Sequence, residues 1–201
     1  MSGQKTGDRP ERTIEVAERV AEVLRQHEIE AAVIGAAALA VHLYPRYTED
    51  FDLAINTDPF PKLRWVQDSL QKEGFEVRFD APDADDALGG VLRVTGDDFE
   101  PIEVVNFHNP WPGARDASVL AREALREASM PLSPESPLRV VSLPHLIALK
   151  LYAGGGKSKG DVVELLERNR EHLDLAELRD VCNRHGLGPA LEPLLQELGF
   201  P

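Results

Sequence analysis

The chain of 201 residues has a single cysteine, Cys182. That excludes an internal disulfide and any cluster of thiolate metal ligands, and it fits a reducing cytoplasm; the expected role of Cys182 is that of a small buried hydrophobe. No run approaches the roughly 18 apolar residues that a membrane span requires. The opening "MSGQKTGDRP" lacks the apolar core of a signal peptide and reads as a flexible tail over residues 1–11. Basic residues are scarce, 22 Lys and Arg against 35 Asp and Glu, giving a formal net charge of −13 and a pI near 4.9. Such a surface repels phosphate backbones at long range and disfavours general nucleic-acid binding. It still permits phosphates to be held where a few cations converge and a divalent metal neutralises the rest. The sequence contains no internal repeat and no low-complexity tract; its one linker-like piece is "HNPWPGARDAS", around Pro110 to Gly113.

What is present is an ordinary apolar fraction, 42%, enough for a globular core. The spacing of Ile14, Val20, Ala21, Val23 and Leu24 predicts an amphipathic helix over Arg12 to His27. "IEAAVIG" reads as a short buried strand, and "AAALAVHLY" as a helix starting at Gly35 and stopping at Pro45. "DFDLAIN" follows as a strand, and "PFPKLRWVQDSLQKEG" as a helix opened by prolines and closed by Gly74. "FEVRF", "GGVLRVTG" and "PIEVVNF" predict three strands of one sheet. "ARDASVLAREALREA" reads as a helix or an irregular cover and "SPLRVVS" as an edge strand; from Leu143 onward every segment reads as helix. The expected class is α+β, a mixed sheet flanked by helices over residues 12–142 with a helical region over residues 143–201.

Charge at the edge of an apolar strand marks the candidate site. "VIGAAALAVHLYPRYTEDFDLAI" ends with Glu49, Asp50 and Asp52 among residues that otherwise look buried. Residues two apart in a strand share a face, which places Asp50 and Asp52 together with Cα atoms roughly 6.5 to 7 Å apart, while Phe51 and Leu53 face the core and Glu49 faces away. Two such carboxylates repel unless a cation lies between them, and oxygen donors suit magnesium or manganese. A solvated turn is the competing interpretation of a lone Asp-x-Asp. Upstream, Gly35 and Ala36 open a helix whose first N–H groups suit an anion. Glu103, inside the apolar "PIEVVNF", is the natural third carboxylate, since a buried one needs a partner; a solvent-facing charge is its alternative. In the helical half, Lys150 interrupts an apolar helix, and "GGGKSKGD" leads to Lys157, Lys159 and Asp161. A snorkelling lysine and a helix-dipole acid are the plain readings of Lys150 and Asp161. The glycine-rich piece does not have the G-x-x-x-x-G-K-[ST] spacing of a P-loop.

These residues resemble the motifs of the DNA polymerase beta-like nucleotidyltransferase superfamily. Its first motif, a Gly-Gly or Gly-Ser turn followed by an Arg-x-Thr-x-Asp-x-Asp strand, is matched by Gly35-Ala36 and by Arg46, Thr48, Asp50 and Asp52. "LKLYA" resembles the second motif, through Lys150, and "KSKGD" the third, usually Lys-Asp-x-x-Asp, through Lys157 and Asp161. The combination, spanning about Ile29 to Leu166, is most similar to the AbiEii-type branch of toxin nucleotidyltransferases. Ala36 stands where many active members carry Ser or Gly, and Ser158 where Asp is usual.

The resemblance implies a cytoplasmic, Mg²⁺- or Mn²⁺-dependent enzyme that moves an NMP group from an NTP to an acceptor hydroxyl on a tRNA, a protein or a small molecule, with a protein antitoxin as a further partner. It implies metal ligation by Asp50, Asp52 and Glu103, nucleotide binding by Gly35, Ala36, Arg46, Thr48, Lys150 and Lys157, and Asp161 as a catalytic residue with Asp50 and Asp52. A degenerate nucleotide binder without turnover and a protein-interaction module are the alternatives.

Overall fold

A computed structural model describes residues 9–112 and 117–201. The first eight residues of the expected tail and residues 113–116 of the linker-like piece lie outside the described residues. The order is α1 (Arg9–Gln26), β1 (Ala31–Val33), α2 (Gly35–Val41), β2 (Phe51–Ile55), α3 (Lys62–Lys72), β3 (Glu76–Asp80), β4 (Val91–Thr95), β5 (Ile102–Asn106), α4 (Ser118–Arg126), β6 (Met130–Pro131), β7 (Arg139–Val140), α5 (Leu143–Ala153), α6 (Gly155–Arg168), α7 (Leu175–Arg184) and α8 (Gly188–Glu197). None of these helices is long and apolar enough to cross a membrane.

The strands form one mixed sheet in the order β3-β4-β5-β2-β1-β7-β6. β2 and β5 lie parallel at its centre, with Asp52 opposite Glu103; β1 runs antiparallel to β2. β3, β4 and β5 form an antiparallel meander. Alternation along β2, β4 and β5 sends Phe51, Leu53, Ile55, Leu92, Val94, Ile102 and Val104 into the core. α1 packs on β1, β2 and β5 beside α3, which covers β3. Burying such side chains contributes about 1.5–3 kcal/mol each, before conformational entropy is counted.

The mixed α/β class stands as expected, with three differences in detail. α1 begins at Arg9, three residues before the predicted start, and the Thr13 hydroxyl donates back to the Arg9 carbonyl at 2.8 Å. The strand predicted as an edge, β7, is not one: it pairs in parallel with β1 and antiparallel with β6, which covers it. β6 carries only two residues, both exposed, too short for period-2 patterning to announce. The glycines predicted as a loop before Lys157 are the start of α6. Gly154 alone, at φ +69°, separates α5 from α6, so Asp161 lies in the second turn of its helix.

The helical half is fastened to the sheet by polar contacts as well as by packing. α5 is apolar on nearly every side, with Pro144 to Leu149 buried, and packs against α4, α6 and α7. Such a helix belongs in the interior. Buried Asn169, at the C-terminus of α6, donates from Nδ2 to the His42 carbonyl that ends α2, at 2.9 Å. The His42 ring in turn donates from Nε2 to the Val141 carbonyl at 2.8 Å; burial pulls its pKa down against that hydrogen bond, which keeps it neutral near pH 7.

Candidate active site

The register of the central strands builds the acidic group. Asp52 and Glu103 are direct neighbours on β2 and β5, and Asp50 precedes β2 by one residue. One carboxylate oxygen from each of Asp50, Asp52 and Glu103 lies within 4.8 Å of the other two. The expectation that Asp50 belongs to the strand is corrected: it sits in the bend before it. The Thr48 hydroxyl, donating to Oδ1 of Asp50, fixes its carboxylate instead. Phe51 anchors the same turn, its N–H donating to the Pro101 carbonyl at 2.8 Å.

Gly35 is required here on two counts. Its φ of +62° is left-handed, which a residue with a Cβ adopts at a cost of roughly 1–2 kcal/mol. A Cβ at that position would also stand 1.8 Å from Oδ2 of Asp52. The start of α2 therefore lies directly against the carboxylate of β2. The Ile34 N–H donates to the Asp52 carbonyl at 3.1 Å, which holds the two segments in that approach.

Electrostatics follow from this crowding. Burial, then the charges of Asp50 and Glu103, push the Asp52 carboxyl up to about 6, while Lys150 and Arg46 oppose the rise. Those two cations meet at Asp161, whose side chain is only 4% exposed. Lys150 Nζ donates to Oδ2 of Asp161 at 2.6 Å, and Arg46 Nε lies 3.3 Å from Oδ1. The Arg46 contact is an ion pair without hydrogen-bond geometry, for Nε is buried with no acceptor aligned to it. Breaking a pair of this kind by removing one partner costs about 3–5 kcal/mol, because the other charge stays buried.

The structure thus brings Gly35, Arg46, Thr48, Asp50, Asp52, Glu103, Lys150 and Asp161 into one region. Ala36 is buried beside Gly35 in α2. Glu49 is exposed, and Lys157 stands exposed on the first turn of α6, outside these contacts. Sequence reasoning missed Arg93. It faces Glu103 across β4 and β5, with Nη2 at 2.5 Å from Oε1. An arginine in the alternating strand "VLRVT" signals only an outward-facing residue; its partner depends on register.

Two grooves lie elsewhere. One of about 680 Å³ opens at the far end of β1, among α1, the end of α4 and Pro137 to Arg139. The other, of about 480 Å³, is lined by Arg12, Glu73 to Glu76 and Thr95 to Phe99. Neither contains a residue of the acidic group.

No family model matches the chain, and no curated protein does. Among solved structures, the antibiotic-resistance factor ANT(2'')-Ia in solution is similar over 93% of this chain and 98% of its own, at 15% identity and a TM-score of 0.49. An antigenic nucleotidyltransferase-like protein from Paracoccidioides brasiliensis is similar over 92% of this chain and 93% of its own, at 17% identity and a TM-score of 0.48. Both scores lie below 0.5, so the functional reading rests on the geometry of the site.

Proposed function

We propose that the protein is a metal-dependent nucleotidyltransferase that moves an NMP group from an NTP to an acceptor hydroxyl. The observation that carries this reading is the meeting of three carboxylates, two on adjoining central strands and one in the bend before β2, with two cations held at their flank by one buried aspartate.

The donor set fits a small divalent cation. Oxygens bound to magnesium at 2.0–2.1 Å lie about 3 to 4.2 Å from one another across an octahedron. The oxygens of the trio, all within 4.8 Å of one another, lie at separations of that order. Asp52, held up at about 6 by burial and then by the charges of Asp50 and Glu103, is a group that a cation would relieve. When bound, magnesium or manganese supplies Lewis-acid chemistry, lowering the pKa of the acceptor hydroxyl and neutralising charge at the α-phosphate.

Asp50, Asp52 and Glu103 are the ligands in this reading, and Thr48 aligns Asp50. Lys150 and Arg46 bind phosphate oxygens, with the backbone at Gly35 and Ala36 on the same flank and Lys157 reaching in from α6. The acceptor oxygen bonds to the α-phosphorus, the bond to the bridging oxygen breaks, pyrophosphate leaves, and the acceptor proton passes to solvent. Asp161 is a positioning residue: buried between two cations, it sets where Lys150 and Arg46 present their charge. The division at residue 142, with the helical region completing the nucleotide site through Lys150 and Asp161, belongs to the same reading. A toxin restrained by a protein antitoxin is its finer form, supported by the resemblance to the AbiEii-type branch.

The test is transfer of label from α-³²P-NTPs in cell extract, scored in RNA, protein and small molecules. Wild type labels one of these fractions and Asp52→Asn abolishes it; equal labelling by the variant removes this site from the chemistry. Calorimetry with ATP and Mg²⁺ that shows binding without pyrophosphate release would favour a degenerate binder instead.

A further inference from the structure

Glu103 occupies the middle of a charged row across the sheet. Asp52 is its register partner on β2, and Arg93 its register partner on β4. β5 is hydrogen-bonded on both sides, so the Glu103 backbone has no freedom to shift and only its side chain adjusts. Oε1 is committed to Nη2 of Arg93 at 2.5 Å. Arg78 faces Arg93 from β3 but pairs with Asp80 at 2.7 Å, so it does not draw Arg93 away.

We propose that Arg93 is a positioning residue that confines Glu103 to one-oxygen ligation and thereby sets the preference of the carboxylate trio for magnesium or manganese over calcium. The inference rests on the metal-binding reading of the trio and adds a determinant to it. Chelation through both Glu103 oxygens would carry a dication toward the guanidinium, and like charges at that range repel. Asp50 is constrained in the same sense, because the Thr48 hydroxyl occupies its Oδ1. Oδ2 of Asp52 is hemmed in by the Gly35 backbone. Calcium takes six to eight oxygens and commonly uses both oxygens of a carboxylate, whereas magnesium keeps a strict octahedron filled out by water. A site whose carboxylates each have one oxygen engaged or obstructed favours the smaller ion.

Calorimetric titration of the full chain with Mg²⁺, Mn²⁺ and Ca²⁺, without nucleotide, tests this apart from turnover. In Arg93→Met the Ca²⁺ affinity rises relative to Mg²⁺, and the selectivity ratio falls by about fivefold or more. Arg93→Lys keeps the charge but loses the planar fork, and its ratio lies between the two. Circular dichroism verifies that each variant is folded, and the lysine variant serves should the methionine one be destabilised. A ratio within about twofold of wild type in the folded variants overturns the role of Arg93 while leaving the metal site in place. Unchanged affinities in Asp52→Asn would show that the ions bind elsewhere, and would overturn both the inference and the reading beneath it.

Discussion

Gly35 lies against Asp52 so closely that a Cβ on the glycine would stand 1.8 Å from the carboxylate oxygen Oδ2. The contact joins the first turn of α2 to the strand that carries the acidic group. It also explains why the apolar run "VIGAAALAV" must contain glycine at this one position. Gly35→Ala adds both a left-handed penalty of roughly 1–2 kcal/mol and a collision with Asp52. The expected outcome is a stability loss of at least about 2 kcal/mol in urea titration, with weakened divalent-cation binding in the folded fraction. Wild-type stability and affinity would contradict the packing.

The raised pKa of Asp52 gives a pH dependence of defined sign. Unfolded, the carboxyl titrates near 3.9; folded, burial and then Asp50 and Glu103 hold it at about 6. Between these values the folded chain binds the proton more tightly than the unfolded chain. Stability from this group is therefore full below about pH 4 and is lost as pH rises through 6, by at most about 3 kcal/mol. Asp52→Asn is expected to be more stable than wild type at pH 7.5, with the difference vanishing near pH 4. Added Mg²⁺ is expected to raise the midpoint of wild type at pH 7.5 and to leave that of Asp52→Asn unchanged. Thermal melts across that range, with and without Mg²⁺, measure both effects.

Asp161 links α6 to Lys150 and to Arg46, and its loss strands two partly buried cations. Asp161→Asn should lower stability by about 3 kcal/mol. The double variant Lys150→Met/Asp161→Asn should lose less than the sum of the single losses by about 1 kcal/mol or more, because the two side chains share one interaction. Additive losses in denaturant titrations would show that the pair contributes no coupling.

Asn169 fastens the end of α6 to the end of α2 through the His42 carbonyl, beside its bond to the Leu165 carbonyl. Asn169→Ala leaves that buried carbonyl without its donor and is expected to cost about 1–3 kcal/mol. Hydrogen exchange should show the loss as faster exchange in α2 and at the α6 C-terminus. Unchanged protection in both would remove Asn169 as a fastener.

Much of the architecture was legible because apolar spacing dictates which face of an element is buried. α3, β2, β3, β4, β5, α5, α7 and α8 fall where their patterns put them, and Phe51 and Leu53 turn inward as alternation requires. Short elements escaped: β6 has too few residues to show a period, and without it β7 reads as an edge. Glycine content misled at α6, where Gly155 and Gly156 join the helix despite their low propensity, because the buried apolar face of Val162, Leu165 and Leu166 outweighs it.

At the site, sequence by itself determined the kinds of groups and their order along the chain: a glycine turn, an Asp-x-Asp pair, a lone glutamate in an apolar strand, then a lysine and an aspartate on successive helices. Residue type and local spacing suffice for that, since they report what each segment buries and what it leaves charged. Only the tertiary structure decided which charges meet. The β2–β5 register set Glu103 beside Asp52, the β4–β5 register set Arg93 on Glu103, and the docking of α5 and α6 closed Lys150 and Arg46 on Asp161. Register and docking are fixed by the packing of the whole core, so no local stretch of sequence carries them.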